Sequence, residues 1–351
     1  MRALLLERFG QAPHLADVPE PRCPPDGAVV RVGATGLCRS DWHAVMGHDP
    51  DVRLPHVPGH EFAGVVVEVG PQVQEWSAGA RVTAPFVNAC GRCAPCLAGR
   101  QQVCARQTQP GFTRWGSFAE LVVVDHADVN LVALPDGVDT VAAAALGCRF
   151  ATAFRAVVEV GRLAAGEWVA VHGCGGVGLS AVMIARACGA RVAAVDVSAA
   201  ALELAARFGA EVAVDVSDGP TPDRAAALVR QAVGGAGGPG GVHLSLDALG
   251  SEATCHASIA GLLPAGRHVQ VGLLPPATGL PRVPLHLVVG GELEVLGSHG
   301  MGARSYPALL GLVTSGRLDP GALVTRQVSL EQAAEELMTP GAGPGVTVAL
   351  P

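Results

Sequence analysis

The sequence predicts two domains, one of them an α/β domain of the Rossmann, dinucleotide-binding kind, and three observations predict it. At 351 residues the chain is longer than one hydrophobic core usually organises. A continuous strand-like run, Trp168 to His172, is followed at once by Gly173-Cys174-Gly175-Gly176-Val177-Gly178 and then by a helical stretch to about Cys188. Beyond it, strand-like and helix-like segments alternate as a parallel sheet requires.

Composition narrows the function classes. Charged residues are 16% of the chain and hydrophobic ones 49%, which favours a packed core over disorder. No apolar run is long enough to span a bilayer, and Leu4 to Leu6 is cut off by Glu7 and Arg8, too short for a signal-peptide core, so a cytoplasmic location is expected. A net charge of −7 without a basic block argues against nucleic acid or membrane as a partner. The 24 basic residues are all arginine, which excludes Schiff-base and lysine general-base chemistry. Ten cysteines without an export signal point to metal ligands and buried thiols before disulfides; Cys23, Cys174, Cys188 and Cys255 read as small buried hydrophobes or idle thiols.

In chain order, Arg2 to Leu6 and Ala28 to Val32 read as short strands joined by the Pro-rich link Pro19 to Pro25. Gly36-Leu37-Cys38-Arg39-Ser40-Asp41-Trp42-His43 then packs a thiol, a guanidinium, a hydroxyl, a carboxylate and an imidazole into consecutive positions. Alone, that stretch is equally a polar surface turn with an incidental cysteine; His60 and Cys148 downstream, both candidate ligands, favour chemistry. His60 and Glu61 precede the β-branched run Val65 to Val69, at the mouth of a strand. Cys90, Cys93, Cys96 and Cys104 can surround one tetrahedral Zn²⁺ in a closed, structural lobe over residues 90–104. An iron–sulfur site and redox dithiols are the competing readings, and the longer last gap without a following proline favours zinc. Leu121 to Val124 is a strand and Val141 to Leu146 an Ala-rich helix. Cys148 follows it and by itself would be a core thiol.

In the middle of the chain, Gly173 permits the tight turn, Gly175 lets backbone approach a pyrophosphate, Gly178 allows close helix packing, and the helix N-terminus supplies positive potential. Gly189 ends the helix, and Arg191 to Val195 leads to Asp196, which can accept from both ribose hydroxyls and would repel a 2′-phosphate; NAD is therefore expected over NADP. Ala200 to Phe208, Val212 to Val216, a helix near Pro222 to Val233, and the strands Val242 to Leu246 and His268 to Val271 complete the unit. Gly234 to Gly241 reads as a flexible connector.

The Cys38-to-His43 stretch, Gly59-His60-Glu61, the four-cysteine lobe, Gly147-Cys148 and Gly173 to Gly178, in this order, make the sequence similar over nearly its whole length to the zinc-dependent medium-chain alcohol dehydrogenases. The resemblance implies a β-rich, chaperonin-10-like (GroES-like) catalytic domain over 1–149 and 298–351, with the Rossmann domain, 150–297, inserted. It implies two zinc ions per chain, NAD, a small alcohol, aldehyde or ketone as substrate, and the bacterial and yeast-type branch, hence a homo-oligomer, tetramer or dimer. Cys38, His60 and Cys148 match the catalytic zinc ligands, which leave one open position where an alcohol loses its proton and becomes able to release hydride. Ser40 matches the hydroxyl that takes that proton and His43 the outer end of the relay, reached through the nicotinamide ribose.

By the same resemblance Asp41 orients His60, and Glu61 is the acid that transiently replaces a departing ligand or simply forms a salt bridge. Arg39 would bind pyrophosphate. Gly176 and Val177 complete the phosphate turn; Thr152, Val271 and Gly272 match nicotinamide contacts, and Phe86 and Leu273 the pocket wall. Two departures, Ala201 in place of a basic residue and nothing basic after Arg326, imply weaker or faster-released NAD, or partial tolerance of NADP. A polyol or sugar dehydrogenase is the runner-up, which Cys148 argues against because a carboxylate is more usual there. A catalytically silent NAD-binding relative and a redox-sensing thiol protein are the readings from other classes.

Overall fold

The structure, a computed structural model, describes residues 1–274, 280–339 and 343–351. Its strands in chain order are β1 (Arg2–Leu5), β2 (His14–Asp17), β3 (Ala28–Gly36), β4 (Glu61–Val69), β5 (Arg81–Thr83), β6 (Leu121–Val124), β7 (Val132–Ala133), β8 (Trp168–His172), β9 (Arg191–Asp196), β10 (Val212–Asp215), β11 (Val242–Asp247), β12 (Leu262–Gln270), β13 (Glu294–Gly297), β14 (Val324–Ser329) and β15 (Val346–Leu350). The chain forms two units, Met1–Ala151 with Gly300–Pro351, and Thr152–His299. No helix among the described residues is long and apolar enough to cross a membrane.

The first unit is built on a seven-stranded sheet in the order β14-β15-β3-β4-β5-β7, with β6 also paired to β3. Val30, Val32, Phe62, Val66, Val82 and Val124 fill its core. Strands β3 and β4 are longer than the sequence suggests because Ala34, Thr35, Phe62 and Ala63 are also fully buried and paired. That extension matters for the site. It aligns Gly36 with Glu61, so the end of β3 and the start of β4 carry Cys38 and His60 on adjoining segments. Gly64 permits the pairing, since a Cβ there would lie 2.0 Å from the Arg31 carbonyl oxygen. The expected helix begins at Thr140, capped by the Asp139 carboxylate, and gives way after Ala144 to a π-helical turn, Leu146–Phe150, that carries Cys148.

The second unit is a wholly parallel six-stranded sheet, β10-β9-β8-β11-β12-β13. The order reverses between β8 and β11, where ligands bind at the carboxyl ends of such sheets. Trp168, Ala170, Ala193, Val195, Val214 and Val229 pack its core. The connector expected at 234–241 is partly structured. The helix Pro222–Gly235 takes its first two glycines, and Gly238 packs so closely on Trp168 that a Cβ would stand 2.6 Å from the indole nitrogen.

His172, at the end of β8, is buried with no partner on Nε2, and desolvation, helped by His268, pushes its pKa down to about 4. The unfolded chain then binds more protons than the folded one from the ordinary histidine value down to that value. Stability should therefore fall as pH drops through this window, by about 2 kcal/mol between pH 7 and pH 5 from this group. His172→Val is expected to remove that share. Denaturant unfolding at the two pH values reads it, and equal losses in both proteins would refute the assignment.

Candidate active site and its two metal-ligand clusters

Cys38 stands at the N-terminus of the helix Arg39–Val45, in extended conformation, and its N–H donates to Asp41 Oδ2 at 2.9 Å. The other Asp41 oxygen accepts from Gly59 N at 3.1 Å and from His60 Nδ1 at 2.8 Å. Asp41 and His60 are both fully buried. A carboxylate on Nδ1 fixes the proton there and leaves Nε2 as the lone-pair nitrogen, and Nε2 is buried with no hydrogen-bond partner. Cys38, His60, Glu61 and Cys148 bring one donor atom each within 4.8 Å of one another. The Cys148 thiol, donating to Cys38, together with the nearby His60 holds the Cys38 sulfur well below the usual cysteine range, and the same contact pushes Cys148 up. Two sulfurs and an imidazole lone pair that nothing else satisfies fit Zn²⁺ with a position to spare.

The turn that carries Cys148 is held from several sides. The buried Tyr306 hydroxyl donates to Leu146 O at 3.0 Å, and Phe86 N donates to Gly147 O at 3.2 Å. Phe86 and Phe112 set their rings against His60, at 6.0 and 5.1 Å between centroids, so the imidazole has apolar walls. Glu61 is fixed by the residue after Cys148. Arg149 donates to its carboxylate from the backbone N–H at 2.6 Å, from Nε at 2.7 Å and from Nη2. Burial raises the Glu61 carboxyl even against that guanidinium. Phe112, Tyr306 and Arg149 were not legible as site residues, because their roles depend on which turns the fold stacks together.

Asp41→Asn keeps the shape and removes the charge that orients His60. The expected result is a ~10–100-fold loss of zinc affinity at this cluster alone, read by chelator competition with the four-cysteine cluster as internal control. Unchanged affinity would show that Asp41 only caps the helix.

The second cluster is Cys90, Cys93, Cys96 and Cys104, whose sulfurs also lie within 4.8 Å of one another. Cys104 Sγ accepts from the N–H groups of Cys90 and Arg106, each at 3.3 Å, and the Arg106 guanidinium reaches Cys90 Sγ at 3.6 Å. Against the effect of burial, the Arg92 N–H and the Cys104 thiol bring Cys90 down to about 6. Four sulfurs with N–H donors beside them suit one tetrahedral Zn²⁺, which would leave no position for substrate.

In the second unit Gly173 takes a φ of +90°, which glycine alone adopts without cost. A Cβ at Gly178 would lie 1.8 Å from the Gly173 oxygen, whereas one at Gly175 would meet nothing within 4 Å, leaving open space above the turn. Gly176 and Val177 begin the helix Gly176–Ala187. Asp196 ends β9, its carboxylate accepting from Cys174 N at 2.6 Å and Ser198 N at 2.8 Å. The N–H groups of Val271 and Gly272 donate to the Asp247 carbonyl, at 3.0 and 2.9 Å, so what they can offer a ligand is carbonyl oxygen. Thr152 has a buried hydroxyl without a hydrogen-bond partner. Leu273 is 66% exposed on its unit, Arg39 is exposed and Ser40 half-buried.

Comparison with known proteins places these features in a family. Residues 24–136 match the alcohol dehydrogenase GroES-like domain and residues 176–315 the zinc-binding dehydrogenase family. An alcohol dehydrogenase of Geobacillus stearothermophilus is 35% identical over 285 residues, 80% of each chain. An L-threonine 3-dehydrogenase of Streptomyces coelicolor is 33% identical over 94% of this chain and 93% of its own. A zinc-binding dehydrogenase of Sinorhizobium meliloti, solved with NADP, superposes with a TM-score of 0.86 at 31% identity, covering 100% of this chain and 99% of its own. Likeness of that extent, carried through both units, makes this chain a member of the zinc-binding alcohol dehydrogenase family, an oxidoreductase acting on CH–OH donors.

Proposed function

We propose that the protein catalyses the reversible oxidation of primary or secondary alcohols to aldehydes or ketones with NAD. The observation that carries the reading is His60 Nε2, buried, unpartnered and oriented by Asp41 beside two cysteine sulfurs. Cys38, His60 and Cys148 would hold zinc, which would supply the Lewis acidity that lowers the pKa of an alcohol. Ser40 Oγ would take the alcohol proton and His43 would carry it outward, while bound NAD would supply the hydride acceptor. Phe86 and Phe112 keep water from the imidazole. Arg39 contributes charge for the pyrophosphate, and Gly173 to Gly178, Thr152, Val271 and Gly272 hold the cofactor.

Asp196 supports NAD, because a carboxylate at the end of the second strand repels a 2′-phosphate. Exposed Val289 and Val295, the latter on the edge strand β13, support assembly into a homo-oligomer. Zinc held by Cys90, Cys93, Cys96 and Cys104 would brace that lobe.

The test is the initial rate of reduced-cofactor formation with NAD and with NADP across primary, secondary, benzylic and polyhydric alcohols. L-threonine belongs on the panel because of the relative that bears its name. Turnover of simple alcohols with NAD is the expected result. Turnover of L-threonine or polyols alone would replace the substrate class, and none from protein carrying both zinc ions would sink the reading.

A further inference from the structure

We infer that the proton path does not end at His43 but continues through His48, a second imidazole that hands the proton to water. The inference rests on the dehydrogenase reading above and extends it by one residue.

The local fold builds the pair. The helix Arg39–Val45 ends at Met46, and Gly47 takes a φ of +75°. Gly47 N donates to Ala44 O at 3.1 Å and His48 N to His43 O at 2.9 Å, the two bonds of a Schellman motif. That turn folds the chain back so that His48 lies over the helix's last turn. There His43 Nδ1 and His48 Nδ1 are 3.0 Å apart. Trp42 sets its ring edge-on to both imidazoles, at 4.8 and 5.3 Å between centroids, which holds them in register. His43 is half-buried and His48 exposed.

Two Nδ1 atoms at hydrogen-bond distance share one proton, so one nitrogen donates and the other accepts. His43 Nδ1 is thus engaged by the neighbouring ring, which offers the proton a route outward. With His43 as the Nδ1–H tautomer, a proton arriving at Nε2 makes the ring an imidazolium. Its Nδ1–H bond then breaks as the proton bonds to His48 Nδ1, and His48 releases its own Nε2 proton to water. One proton enters and one leaves; a flip of each tautomer restores the start. Arg39 and Asp49 are the charged groups that bear on His43 besides His48 and the Cys38 sulfur. Burial, His48 and Arg39 oppose a positive charge on His43, and the Cys38 sulfur and Asp49 favour it.

His48→Gln keeps a polar partner that cannot relay a proton. It is expected to slow alcohol oxidation about tenfold near neutral pH, with imidazole buffer restoring the rate to within roughly twofold of the parent, at unchanged NAD affinity. His48→Ala should be rescued in the same way. Turnover and pH profile equal to the parent in both directions, or a loss that imidazole does not repair, would overturn the inference. If the parent itself turns over no alcohol, the dehydrogenase reading fails instead. The pair is then judged by ¹⁵N signals of the histidine rings: coupled titration of His43 and His48, replaced by a single His43 titration in His48→Gln, supports it, and independent titration overturns it.

Discussion

Cys148→Ala is expected to yield a folded protein with one zinc per chain instead of two and a rate of alcohol oxidation lowered by ~10³-fold or more, the several kcal/mol that a Lewis acid contributes. The reason lies in the donor set. With Cys148 gone, Cys38 and His60 remain, and Glu61 is tied to Arg149 by three hydrogen bonds and is not free to substitute. Metal analysis after dialysis and steady-state rates give the two readouts. Full zinc content with preserved turnover would mean that Glu61 leaves Arg149 and completes the site, restoring the transient-ligand role implied by the resemblance.

Arg149→Ala should be the most destabilising single change near the site. It strips the guanidinium from a carboxylate with no solvent access, and breaking a buried pair from one side costs about 3–5 kcal/mol. Glu61→Gln in the same background should recover part of the loss, because a neutral amide carries no uncompensated charge. Urea unfolding of the three proteins measures it. A loss under about 1 kcal/mol in Arg149→Ala would show that Glu61 relaxes by taking up a proton or a metal.

Much of the second unit was legible because its signals are local. The apolar run of β8, the glycines after it and Asp196 at the end of β9 are dictated by backbone conformation and chain spacing, which the residues state directly. The same holds for the four cysteines of residues 90–104, whose closeness in sequence leaves few other ways to fold around one ion. Cys38, His60 and Cys148 were legible only in part. Their residue types point to zinc, but their meeting depends on the β3 and β4 register and on the π-helical turn of Leu146–Phe150.

What the sequence by itself determined is the chemistry on offer: soft sulfur and imidazole groups, a glycine-rich turn between a strand and a helix, an acid at the end of the next strand, and no lysine. Tertiary structure alone decided which groups are partners. Arg149 and Glu61 are 88 positions apart, and Tyr306 lies 160 from the carbonyl it holds; neither pairing leaves a periodic or spacing signal. His48 is close in sequence to His43, yet its role depends on one left-handed glycine turning the chain back over the helix end. Local conformational preference is written in neighbouring residues, whereas hydrogen-bond partnership and burial are set by whatever the folded backbone brings within about 3 Å.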